Sequence, residues 1–143
     1  MSTVARPQRA FTLIELLIVI GIIAILAAVV LIAVNPARQF SLANNAQRWS
    51  DVQALHSAIQ QYRTENKGSL HSAIGDSAKN VGTCATCANL TADLVPSYLS
   101  AIPKDPKDGT ADDTKYSVVK DANSRVTVKS ASAELSKTIE VTN

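Results

Sequence analysis

Between Phe11 and Val34 the chain runs through 24 residues of which 21 are apolar, the exceptions being Thr12, Glu15 and Gly21. Within it, Leu16 to Val34 is 19 residues without a charge. As a helix rising about 1.5 Å per residue, that stretch crosses most of a bilayer. The chain has 143 residues and is 46% apolar overall. Outside the apolar window the fraction falls to about 38%, below the usual globular value. The sequence therefore reads as one modest polar domain attached to one apolar segment. Six aromatics, five Gly and five Pro exclude a collagen, a repeat protein and a stacking-rich single-strand binder. A net charge of +2 spread along the chain gives no electrostatic grip on nucleic acid.

Arg6 and Arg9 precede the window, and no acidic residue lies among the first ten. Positive flanks stay cytoplasmic, which places the body beyond Val34 outside the inner membrane. A cleaved signal peptide has a shorter apolar core, although Ala24, Ala27 and Ala28 supply small residues for a cleavage site. A plain signal anchor fits the length and the charges and leaves Glu15 unexplained. A carboxylate inside an apolar run costs several kcal/mol unless it finds a partner or reaches the headgroups.

The run Arg9-Ala10-Phe11-Thr12-Leu13-Ile14-Glu15-Leu16 resembles the class III leader junction of type IV pilins and pseudopilins. The resemblance implies cleavage of a leader, residues 1–10, between Ala10 and Phe11 by a membrane-embedded prepilin peptidase. It also implies methylation of the new N-terminal Phe11 and retention of Glu15 for assembly. The residue before the cut is usually Gly in that family, and Ala10 implies slower processing. Removal of Arg6 and Arg9 leaves 12 basic against 12 acidic side chains, compatible with side-by-side stacking of neutral subunits.

Asn35-Pro36 ends the apolar run, and Pro36 predicts a helix kink because its ring removes a backbone donor and clashes with the preceding turn. Beyond it, Phe40, Leu42, Ala46, Trp49, Val52, Leu55, Ile59 and Tyr62 recur at helical spacing. Asn45, Arg48, Asp51, Gln53, Gln60 and Arg63 fall mostly on the other faces. One long helix is expected, a membrane-spanning and assembly half over 11–34 and an amphipathic half over 35–66, stopped near Asn66-Lys67-Gly68. Residues 67–143 hold a connector and a β-sheet region. Lys115–Lys120, Arg125–Lys129 and Lys137–Val141 are strand-like, with turn chemistry at Asp121–Ser124. The fold class is α+β, the long helix packed on a small C-terminal antiparallel sheet. The segment Leu94–Pro106 also resembles the P-x-Y-L-x-x-I-P-x-D-P stretch of many pseudopilins and related pilins.

Cys84 and Cys87 form a disulfide candidate if the domain lies in an oxidising compartment. The alternatives are a redox pair, a zinc site completed by His56 and His71, or free thiols. Asp105, Asp108, Asp112 and Asp113 cluster around Gly109 and are either calcium candidates or a solvated acidic loop. No other metal or cofactor is expected. His56 and His71 have no Ser or Cys partner in motif context, and neither a nucleophile elbow nor a phosphate-cradling glycine loop is present. The chain is read as non-enzymatic.

The function expected from the resemblance is that of a type IV pilus-like filament subunit, with a type II secretion pseudopilin as the alternative. A single-pass anchored binding protein displaying residues 67–143 is the reading from a different class. The implied partners are like subunits, the prepilin peptidase, an inner-membrane platform protein and an assembly ATPase. The implied location is the inner membrane before assembly, then an extracellular or periplasmic filament. DNA is not an expected partner, since Lys104, Lys107, Lys115 and Lys120 are interleaved with acids.

Overall fold

The computed structural model describes residues 10–143, so the leader arginines Arg6 and Arg9 lie outside the described residues. The chain divides into two compact units, one ending at Gln39 and one running from Phe40 to Asn143. The first carries helix α1, Leu13–Val34, none of whose residues is buried. Its length and composition suffice to cross a membrane.

A single residue interrupts the expected long helix. Asn35 adopts a left-handed conformation (φ 45°, ψ 80°) and closes α1 as its C-cap. The same residue opens helix α2, Pro36–Glu65, because its Oδ1 accepts the Arg38 N–H at 3.2 Å. Its carbonyl also accepts the Arg38 and Gln39 N–H groups at 3.1 and 3.3 Å. Pro36 thus occupies the first helical position, where a missing N–H costs nothing and a fixed φ is already helical. Asn is among the few residues that tolerate the left-handed region, and it is also a strong N-cap. Asn35 therefore serves both helices.

At its other end α2 stops where expected. Lys67 (φ 56°) and Gly68 (φ 86°) turn left-handed, and the Gly68 N–H donates to the Arg63 carbonyl at 2.8 Å. This six-to-one bond satisfies one of the orphan carbonyls of the last turn.

In the second unit four strands form an antiparallel meander in the order β1-β2-β3-β4. They are β1 Lys79–Asn80, β2 Tyr116–Lys120, β3 Val126–Ser130 and β4 Glu140–Thr142. Val118 faces Val128 across β2 and β3, and Val128 faces Val141 across β3 and β4. The turn over Asp121–Ser124 forms as its residues predict. Asp121 Oδ1 accepts the N–H groups of Asn123 and Arg125, and Ser124 takes a φ of 59°. The strand after the acidic loop starts one residue later than expected because Lys115 is itself left-handed, at φ 66°. The last strand starts at Glu140 rather than Lys137, behind the left-handed pair Leu135 and Ser136.

Val52, Leu55, Ala58 and Ile59 of α2 pack with Tyr116, Val118, Val126, Val128 and Ile139 in one buried cluster. The connector joins it. Ile74, Val81, Ala88, Leu90 and Leu94 are all buried there, Leu94 at the end of the short helix α3, Thr91–Leu94. Burying such side chains contributes roughly 1.5–3 kcal/mol each before ordering entropy is charged. The connector residues thus supply core.

The apolar stripe of α2 holds only in its C-terminal half. Phe40 is 72% exposed, and Leu42 and Trp49 are 41% exposed, while Ala46 is also exposed. Over that stretch the buried side belongs instead to Asn45, Arg48 and Asp51, which the periodicity assigns to the solvated faces. The reason lies in their partners.

Candidate functional site

At the N-terminal junction, α1 begins at Leu13 with Thr12 as its N-cap, so Ala10 and Phe11 lie outside the helix. Both are exposed, Phe11 at 81%. Thr12 Oγ1 accepts the Glu15 N–H at 3.2 Å, and its carbonyl accepts the Leu16 N–H at 3.2 Å. Thr-x-x-Glu is the spacing of a capping box, a helix start that the sequence displays openly. Glu15 stands in the first turn of α1, where unpaired N–H groups carry partial positive charge and favour a carboxylate. Phe11, Glu15, Leu16 and Val19 line one shallow depression, so the two expected assembly residues share a side of the helix start.

In the second unit the acidic loop is held by a buried ion-pair network. The Arg48 side chain is fully buried and donates to both Asp105 oxygens, Nε at 2.6 Å and Nη2 at 3.2 Å. Its Nη1 donates to Glu134 Oε2 at 2.8 Å and to Asn45 Oδ1 at 3.0 Å. Asn45 reaches the backbone on both sides of Glu134, donating to its carbonyl and accepting its N–H. Ser41 and Asn44 donate to the Glu134 carboxylate. Asp51 accepts the buried Tyr116 hydroxyl at 2.7 Å. The expected solvated face of α2 is the clamp that holds the loops. A repeat of Asn45, Arg48 and Asp51 at three-residue spacing was the available signal.

Burial alone would raise the Asp105 carboxyl. The Arg48 guanidinium and the N–H groups of Lys107 and Asp108 outweigh it and hold Asp105 below the ordinary carboxylate range. Arg48, Asn44 and Lys107 hold Glu134 down at about 2. Its hydrogen bonds to Asp105, and then to Glu134, raise Arg48 above its already high value despite its burial.

The four loop acids are not gathered into one cation site. Asp105 faces Arg48, Asp112 accepts the Thr83 hydroxyl, and Asp113 accepts from Asn80 and pairs with Lys115 at 2.7 Å. Asp108 is exposed. Among the described residues no three His, Cys, Asp or Glu side chains converge on a metal position.

Cys84 and Cys87 are joined by a disulfide. The closed loop is tied to the segment before β2, with the Thr83 N–H on the Ala111 carbonyl and the Cys84 N–H on the Asp112 carbonyl. Neither histidine approaches as a third ligand. His56 lies on α2 with Nε2 3.4 Å from the Gln60 amide, and burial holds it below its ordinary value. His71 Nε2 meets Asp93 at 2.7 Å.

The Leu94–Pro106 segment is bolted to α2 twice. The Tyr98 hydroxyl donates to Glu65 Oε2 at 2.6 Å, and Asp105 meets Arg48. These anchor points lie roughly 25 Å apart along the helix.

Residues 5–31 match the family described as the prokaryotic N-terminal methylation motif. The match spans the leader junction, Glu15 and most of α1. The chain carries a prepilin-type N-terminal motif. Comparison with curated proteins and with solved structures returns no match to the chain. The motif resides in the first unit, and the second unit presents its own clamp and disulfide loop.

Proposed function

We propose that this chain is a structural subunit of a type IV pilus-like filament. The observation that carries the reading is the methylation motif at residues 5–31, laid over a helix whose apolar surface is exposed throughout. Such a surface needs lipid before assembly and other α1 helices afterwards. On this reading α1 holds the precursor in the inner membrane with its C-terminus outside. Prepilin peptidase cuts between Ala10 and Phe11, a bond the helix does not enclose. The freed Phe11 nitrogen is methylated, and the subunit joins like subunits through α1, driven by a platform protein and a cytoplasmic ATPase. Assembly ends in an extracellular or periplasmic filament. The chain's part is structural rather than catalytic.

The charged groups explain the order of events. Cleavage creates an ammonium at Phe11 beside the Glu15 carboxylate. Each charge is costly in an apolar bundle, and pairing between an incoming and a docked subunit neutralises both. A pseudopilin is the second reading, favoured by the Leu94–Pro106 segment that braces α2 through Tyr98 and Asp105. Electron microscopy of sheared surface material, labelled with an antibody to this chain, tests the proposal. Long labelled fibres are expected of a pilus subunit. Their absence with impaired secretion assigns a pseudopilin, and their absence with normal secretion overturns the filament reading.

A further inference from the structure

A polar pocket of about 400 Å³ opens where the end of α2, the loop after it and the β2–β3 turn meet. That volume is within the range of small-molecule sites. Arg63 forms one wall. Its Nε donates to the Gly68 carbonyl at 3.1 Å and its Nη1 to the Ser124 carbonyl at 3.1 Å. These two bonds fix the guanidinium plane between loop and turn and leave Nη2 outside both. Lys120 forms the second cationic wall. Its ammonium lies 3.3 Å from Asp76, whose side chain is 82% exposed, a screened pair that an incoming anion readily displaces.

None of the remaining lining residues carries a carboxylate. His71 donates through Nε2 to Asp93, and its Nδ1 accepts the Ala73 N–H at 3.0 Å. Both ring nitrogens are therefore engaged, and the ring acts as a surface, backed by Tyr62 at 5.8 Å. Ser69 and Ser72 stand at the rim. Two cations on fixed backbone, flanking serines and a ring suit one ligand chemistry. A carboxylate or phosphate meets Arg63 and Lys120, sugar hydroxyls meet the serines, and a C–H face lies against the His71 ring.

We infer that this pocket binds an anionic sugar, either as a free acid or as the terminal residue of a glycan. The site lies wholly in the second unit and does not depend on filament assembly.

The test uses the full chain in detergent micelles, with amide shifts of Ser72 and Lys120 followed by NMR. The probes are glucuronate, glucose 6-phosphate, glucose, inorganic phosphate and an oligosaccharide ending in glucuronate. Saturable binding of the two acidic sugars is expected near 1 mM, with glucose and phosphate at least about tenfold weaker. Lys120→Gln is expected to weaken binding about tenfold, and Ser72→Tyr, which fills the pocket from an exposed position, to abolish it. Both variants should melt as the parent does. Binding of the oligosaccharide supports a glycan end as the source, and its failure beside a binding monosaccharide supports the free acid. The inference is overturned if no acidic sugar saturates by about 10 mM, or if glucose or phosphate binds equally. It is equally overturned if Lys120→Gln leaves the affinity unchanged.

Discussion

Arg48 is a cation without solvent, and its partners decide how the globular unit responds to acid. Asp105 and Glu134 are both held below their ordinary values, so the unfolded chain binds more protons than the folded one as pH falls. Their contribution is fully present above about pH 4, the unfolded carboxylate range, and declines as pH drops towards the folded values. These two carboxylates should therefore lower the melting temperature between about pH 4 and about pH 2. A separate decline should start higher, at about pH 6.5, as the unfolded chain protonates His56, which partial burial holds below its ordinary value in the folded state. Arg48→Ala leaves Asp105 buried without its cation, which is expected to cost about 3–5 kcal/mol by chemical denaturation. The sign of the pH effect then reverses at this site. An unpaired buried carboxyl titrates above its unfolded value, so its stability is present in acid and lost as pH rises. The gap between Arg48→Ala and the parent should narrow from about pH 7 to about pH 5. A constant gap would show that Asp105 is not the group left behind. Gly82 is constrained for a different reason. At φ 155° it packs against the Asp112 carbonyl so closely that a Cβ would overlap it. Gly82→Ala should lower stability by about 1–3 kcal/mol, read from the same denaturation curves.

At the scale of elements, the break between α1 and α2 is made by two residues with separable roles. Pro36 removes a backbone donor at a position where the chain has already turned, and Asn35 supplies both the left-handed turn and the cap. Replacing both with Ala, the best helix former, restores a donor and removes the reason to turn. The double variant should show helical Cα shifts continuously from Val34 to Ala37 by NMR in micelles, whereas Pro36→Ala alone should keep a non-helical shift at Asn35. A helical Asn35 in the single variant would give the break to Pro36 alone. The place of the interruption was legible from Asn35-Pro36, although the turn itself is made by Asn35 and not by the Pro36 ring. The meander and its Asp121–Ser124 turn were legible too, since alternation and turn chemistry are written in neighbouring residues. The outward face of Trp49 was not. Helical spacing gives the period of a stripe, but which face is covered depends on what lies opposite, and Asp105 and Glu134 are far from Arg48 in sequence. The core residues of the connector were hidden likewise, because Ile74, Val81, Ala88 and Leu90 follow no regular period. The N-terminal motif was legible because contiguous residues carry it.

At the scale of the whole molecule, the question is whether Glu15 serves its own helix or its neighbour. The capping spacing with Thr12 offers a local role, and a Gln at the same position satisfies a capping box as well as a Glu does. Pairing with a Phe11 ammonium on another subunit needs the charge. Glu15→Gln separates the two, since it keeps the helix start and removes the carboxylate. If the charge serves assembly, Glu15→Gln and Glu15→Val should both insert and be cleaved normally, seen as the usual size shift in membrane fractions. Both should then fail to polymerise, leaving an unpaired ammonium in the bundle. A loss of about 3 kcal/mol per added subunit is over about a hundredfold in the addition equilibrium, enough to remove sheared filaments from a gel. Glu15→Asp keeps the charge on a shorter arm and should retain partial yield. Normal filaments from Glu15→Gln with none from Glu15→Val would assign Glu15 to the capping of α1. Normal yield from both would leave it a carboxylate that merely reaches the headgroups.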